Sequence, residues 1–323
     1  MTANPFPLPT RAYDIEMLKA SAKRGTSENQ GWVYGLPPGI TSAQWPLDPN
    51  SGYPLMHGFT LLLPEDYRCH GPEIVALSFF ATAPEHNDGG PEGNDRISEI
   101  FARESNTPPS DPELMPFWQS RLASHPRLQR MDDILGCAYA VILLTQTEFD
   151  GPLCKPKPIG ATLHVSHSQP PPWMEFGAAR SFVNFNMKPN PDWAVEDQVY
   201  FKTFGEMPEA RLDWHRAISW TPRANDPNAG KAPMDPHITS PVDSGYQQFF
   251  YWQDGKTGVE NYREHAWVKD LKPLHIGGTM RPVQNTPQFS PFYVEFEEDF
   301  GGYNFGSGNG QLDFRDMKFD WAC

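Results

Sequence analysis

Prolines and glycines interrupt this sequence so often that a helical bundle has no room to form. Its 323 residues include 35 prolines and 26 glycines, spread along the chain without a period. Proline removes a backbone donor and glycine opens conformations closed to other residues, so both punctuate regular structure. The expected fold class is therefore α+β, a largely antiparallel β-sheet with peripheral helices and long ordered loops. Hydrophobic content is only 38%, but 21 Phe, 11 Tyr and 10 Trp bury large areas each and can build the core.

Local patterns place the elements. "HGFTLLL" (57–63) alternates, with Phe59, Leu61 and Leu63 on one side, and "EIVALSFFATA" (73–83) and "CAYAVILLTQTEF" (137–149) are short continuous apolar runs. All three read as strands, as do "DQVYFKTF" (197–204) and "YQQFFYW" (246–252). Helical spacing points to helices over 12–24 (Ile15, Leu18, Ala22, with Gly25 as the stop), over 94–105 (Ile97, Ile100, Phe101) and over 209–219 (Leu212, His215, Ile218). A further helix is expected over 113–124, with Pro116 in its first turn. Aromatic-rich segments continue on both sides of each polar connection, so the layout is one composite domain over 1–323 with a surface insertion around 84–134.

"FGSGNGQLDF" (305–314) is rich in glycine but is not a phosphate cradle, because no helix follows to aim amides at an anion. Leu312 and Phe314 alternate with polar residues, the phase changes at Arg315 and Asp316, and alternation resumes through Met317, Phe319 and Trp321. Period two means strand, and Asn309-Gly310 is expected to make the hairpin turn. "HGFTLLLPED" and "SPFYVEFEED" both run an alternating strand into an acidic pair, Glu65-Asp66 and Glu298-Asp299; short strands resemble one another by chance, and two pseudo-equivalent halves are the alternative reading.

Three segments together resemble the YwqG-like family of bacterial proteins: "WPLDPNSGYPLMHGFTLLL" (45–63), "LHIGGTMRPVQ" (274–284) and "YNFGSGNGQLDFRDMKFDW" (303–321). Their order and wide spacing carry the likeness, which covers about a third of the chain. The middle, roughly 84–240, does not match, and "HGFTLLLPED" lacks the Gln-Ile-Asp usual after the first strand start. The resemblance implies an α+β fold with much antiparallel sheet and, for some such proteins, a role as immunity partner of a secreted toxin. It brings no catalytic set.

Reactive constellations are weak. There is no Gly-x-Ser-x-Gly, and Ser307 lies between glycines without the strand-to-helix elbow a nucleophile needs. Cys69, Cys137, Cys154 and Cys323 form no CxxC pair, which suits a reducing compartment. His164 and His167 would share a zinc ion only on a helix, and the surrounding residues read as extended chain. No cofactor, metal or catalytic residue is expected.

What remains is charge. A net charge of −14 disfavours direct nucleic-acid binding and steers basic molecules towards the protein. Glu295, Glu297, Glu298, Asp299, Asp313, Asp316 and Asp320 crowd the C-terminal segment and are the candidate partner-binding residues. No apolar run has membrane-spanning length, and a cytoplasmic location is expected. The leading expectation is a non-enzymatic binding protein, an immunity protein that occludes a cognate basic toxin or effector domain such as a nuclease. The alternative is an enzyme or small-molecule binder with an aromatic cleft for a saccharide or nucleotide.

Overall fold

A computed structural model describes residues 7–18, 29–87, 93–157, 165–187, 204–205, 207–235 and 245–323. Its strands are β1 (Tyr13–Met17), β2 (Gly31–Tyr34), β3 (Met56–Leu62), β4 (Ile74–Ala81), β5 (Leu128–Asp132), β6 (Ala138–Thr145) and β7 (His215–Pro222). They continue as β8 (Phe250–Trp252), β9 (Tyr262–Glu264), β10 (His275–Ile276), β11 (Tyr293–Glu297), β12 (Asn309–Asp313) and β13 (Lys318–Ala322). The helices are short: α1 (Asp95–Ala102), α2 (Met115–Leu122), α3 (Gln146–Phe149), α4 (Trp173–Phe176) and α5 (Ala178–Met187).

Eleven strands make one antiparallel sheet in the order β13-β12-β11-β10-β1-β7-β2-β3-β4-β6-β5, and β8 and β9 form a separate ribbon. The fold is α+β and mostly β, as the punctuation of the sequence dictates. The sheet curls until its two ends meet. Phe319 of β13 lies 4.1 Å from Tyr139 of β6, centroid to centroid, and Trp321 Nε1 donates to Asp133 Oδ2 at 2.7 Å. Inside the curl Phe59, Phe79, Phe296 and Phe319 touch ring to ring. Burying one such side chain stabilises by about 1.5–3 kcal/mol, so these few large rings offset the low overall hydrophobic content.

β4 and β6 are buried on both faces, which is why they read as continuous apolar runs. On the outer side Trp45 packs edge-on against Phe80 of β4 and stacks on Trp173 of α4. Helices α1 and α2 gather Ile97, Ile100, Leu114 and Phe117 into a satellite cluster with Leu47 and Val165. Within the expected insertion, β5 nonetheless pairs with β6 in the main sheet.

The sheet has an internal correspondence. Outward from the adjacent β1 and β7, one side runs β2, β3, β4 and the other β10, β11, β12. The two similar acidic-ended segments thus occupy matching places, β3 and β11. The halves also exchange neighbours: β1 pairs with β10 and β7 pairs with β2, which welds them into one sheet.

Three expectations are corrected. The helix over 12–24 is strand β1 where it is described: Tyr13 and Ile15 are buried, Asp14 and Glu16 are not, and the strand is paired along both edges. The helix over 209–219 gives way to a turn and then β7, whose Ala217 and Ile218 are buried in the middle of the sheet. Ladder bonds from two neighbouring strands outweigh a weak helical spacing in both cases. Asn309-Gly310 is not a turn either; it opens β12 opposite Glu297 and Phe296. The left-handed positions are Gly306 and Ser307 in the preceding loop, and Met317 in the tight β12–β13 turn where the sequence changes phase. Strands are present within 57–63, 73–83, 137–149 and 246–252, with Gln146–Phe149 turning helical as α3, and the helices over 94–105 and 113–124 are present. Most of "DQVYFKTF" and His164 lie outside the described residues.

Candidate functional site

The β8–β9 ribbon pairs Phe250 with Glu264, Tyr251 with Arg263 and Trp252 with Tyr262. Alternation puts Phe250, Trp252, Tyr262 and Glu264 on one face. So short a ribbon is not stable alone in water, and its rings hold it together. Phe250 and Tyr262 stack at 5.1 Å, and Trp252 meets them edge-on at 5.6 and 6.0 Å.

Opposite this face runs the loop 277–284, the "GGTMRPVQ" stretch, which the sheet clamps along its length. Asp226 accepts from Thr279 N at 2.9 Å and Thr279 Oγ1 at 2.7 Å, and is itself ion-paired with the buried Arg223. Burial pushes the Asp226 carboxyl up, but these donors and the amide of Asn228 outweigh it and hold it low. Gly277 and Gly278 have φ of 60° and 84°, and a Cβ on them would lie 1.8 Å from Tyr67 Oη and 2.4 Å from Asp226 Oδ2. Only glycine fits both the conformation and the close approach. Further along, Met280 N donates to Tyr246 Oη at 2.9 Å, Arg281 N to Glu295 Oε2 at 2.9 Å, and Val283 N to Asn309 Oδ1 at 3.2 Å.

Two adjoining compartments of a groove flank the loop, one against the ribbon and one against β11, and they share Arg281 and Val283. One, about 440 Å³, is lined by Phe249, Phe250, Trp252, Tyr262 and Glu264. The other, about 320 Å³, is bounded by Glu295, Glu297 and the stretch 307–309. Val283 stands 55% exposed at their junction. Arg281 reaches Glu264 at 3.5 Å, and its Nε is buried without an acceptor among the described residues. A separate hollow of about 450 Å³ is walled largely by Leu8, Pro233, Met234, Phe289 and Pro291; its Arg315 and Asp316 are paired with each other.

The seven C-terminal carboxylates divide into two kinds. Glu295 is fully buried and accepts from His275 Nε2 at 2.6 Å, from the Arg281 amide, and from Asn309 Nδ2 and Gln311 Nε2 at 3.0 Å. Glu298 accepts from the amides of Phe305 and Ser307, and so fixes the glycine loop. Asp313 accepts from Ser290 and from the amides of Arg315 and Asp316; burial pushes its carboxyl up against those donors. These three are internal braces. Glu297, Asp316 and Asp320 are exposed and Asp299 is half-buried. Partial burial, with Asp299 and Glu295 nearby, holds the Glu297 carboxyl above its usual range, the mark of a crowded negative spot.

Of the other sequence candidates, Cys154 is partly exposed and Cys323 exposed, while Cys69, Cys137 and His215 are held within the fold. Cys69 and Cys137 are buried and burial pushes each thiol up to about 12; Cys137 Sγ donates to Asn87 Oδ1. His215 lies on β7 with Nδ1 against the Asp213 carbonyl oxygen. Among the described residues no group of three or more His, Cys, Asp or Glu is arranged to hold a metal ion, and no helix is long and apolar enough to cross a membrane. The groove itself was not foreseeable as a site. Its walls come from 249–264, 281–284 and 295–309, and no local pattern announces that these stretches meet.

No family model, curated protein or solved structure matches this chain.

Proposed function

We propose that this is a non-enzymatic binding protein that captures a basic protein domain, acting in the cytoplasm as an immunity protein that occludes a cognate secreted toxin, for instance a nuclease. The observation that carries the reading is the clamped groove, in which the exposed Glu297, and Glu264 beside Arg281, stand next to a wall of aromatic rings. Rings supply contact area at low entropic cost, while carboxylates within a −14 field speed the approach of a cation. The YwqG-like resemblance points the same way. The test is a pull-down with the product of the neighbouring gene, paired with a cell-protection assay and repeated at low and high salt. Salt-sensitive capture with protection is expected; neither complex nor protection refutes the reading.

A second reading rests on the same rings. A ring-lined hollow also suits a saccharide or nucleotide, and a melting screen with glycans and nucleotides separates the two, since a ligand that binds only the folded state raises the melting temperature.

A further inference from the structure

We infer that the groove recognises a two-part element on a partner protein: a lysine or arginine seated in the Glu297 compartment, next in chain to an apolar or aromatic residue seated among Phe250, Trp252 and Tyr262. This inference rests on the capture of a basic domain and names the surface that performs it.

The two compartments differ in chemistry but share a wall. Adjacent residues of an extended partner segment point to opposite sides of it, so a segment laid over the shared residue Val283 sends neighbouring side chains into the hollows on either side. In the first compartment a cation meets Glu297, which is exposed and crowded by Asp299 and Glu295. Relieving like-charge crowding adds to the Coulomb gain. Glu295 is not available to it, because its oxygens already take bonds from four residues. In the second compartment the rings offer an apolar wall, and Arg281 lines both compartments.

Pre-organisation supports a protein partner over a flexible fit. The backbone amides of Gly277, Thr279, Met280, Arg281 and Val283 are all bonded into the fold. The loop therefore gives up little entropy on binding.

The probe is a fluorescein-labelled heptapeptide with a central Arg-Phe step, with two controls in which Ser replaces the Arg or the Phe. Anisotropy is read at low salt up to about 1 mM peptide, where an isolated contact of this size falls. The Arg-Phe peptide is expected to bind about tenfold tighter than either control. Glu297→Gln should erase the advantage over the Ser-Phe control and leave the advantage over Arg-Ser. Val283→Lys, an exposed change at the junction, should erase both while the melting temperature stays that of the parent. No binding, equal binding of all three peptides, or indifference to Glu297→Gln overturns the assignment. A ring-dependent melting shift with chitotriose and no peptide binding also overturns it. If the neighbouring-gene product binds a chain carrying both Glu297→Gln and Val283→Lys as tightly as the parent, the groove assignment fails while capture of a basic domain stands. If the parent chain captures nothing, the wider reading fails, and the peptide series alone decides the groove.

Discussion

Glu295 and Glu297 stand two residues apart on β11 and point to the same face of the sheet, yet alanine at the two positions should act in opposite ways. Glu295→Ala leaves His275 Nε2, the Arg281 amide, Asn309 Nδ2 and Gln311 Nε2 facing an empty space. A buried donor without an acceptor costs about 1–3 kcal/mol, but Asn309 Nδ2 keeps its second bond to the Arg281 carbonyl oxygen, and water can enter the space. Three donors are left without an acceptor, and with water relieving part of that cost the expected loss is about 3–5 kcal/mol. For a chain of this size roughly 2 °C accompanies each kcal/mol, so the melting temperature should fall by roughly 6–10 °C. Glu297 is exposed and crowded by like charges, so its removal should change stability by no more than about 0.5 kcal/mol, in the stabilising direction. Urea unfolding followed by tryptophan fluorescence at neutral pH measures both. Equal losses, or an undisturbed Glu295→Ala protein, would refute the division of the carboxylates into internal braces and a free acid.

Three further outcomes are expected. Trp321→Phe removes the hydrogen bond that joins β13 to the β5–β6 end of the sheet and should cost about 1–3 kcal/mol; in a double-mutant cycle its effect should be non-additive with Asp133→Ala, and strict additivity would deny the closure. Gly31→Ala should prevent stable folding, because φ is +142° there and a Cβ would lie 2.1 Å from the Thr60 carbonyl oxygen, whereas Gly136→Ala, with nothing near its Cβ, should cost only the backbone strain of about 1–2 kcal/mol; matched urea midpoints would contradict this. The Glu148 carboxyl is pushed up by burial but held down to about 2 by Thr145, Arg127 and His125, so its stabilisation is present above about 4.5 and is lost as pH falls towards 2. The stability gap between the parent and Glu148→Gln should accordingly shrink over that window, and a gap independent of pH would count against the cluster.

The sequence by itself determined the class of fold and the identity of several elements. Frequent proline and glycine limit every element to a few turns or residues, and the apolar runs of β4 and β6, short and bounded by turn signals, read as buried strands. Gly277-Gly278, the acidic ends of β3 and β11, and the phase change at Arg315-Asp316 were all legible, and each marks a real feature. Only the tertiary structure decided what became of weak local signals. "YDIEM" is strand β1 because β7 and β10 satisfy its backbone on both edges, an interaction over more than two hundred residues that no window can contain. The same distance separates chemistry from position: seven acids look alike in sequence, but packing spends Glu295, Glu298 and Asp313 on hydrogen bonds inside the fold and leaves Glu297 beside a groove whose far wall comes from the ribbon at 249–264. Whether a carboxylate braces the fold or meets solvent is set by which donors surround it, and those donors are brought together only when the sheet curls.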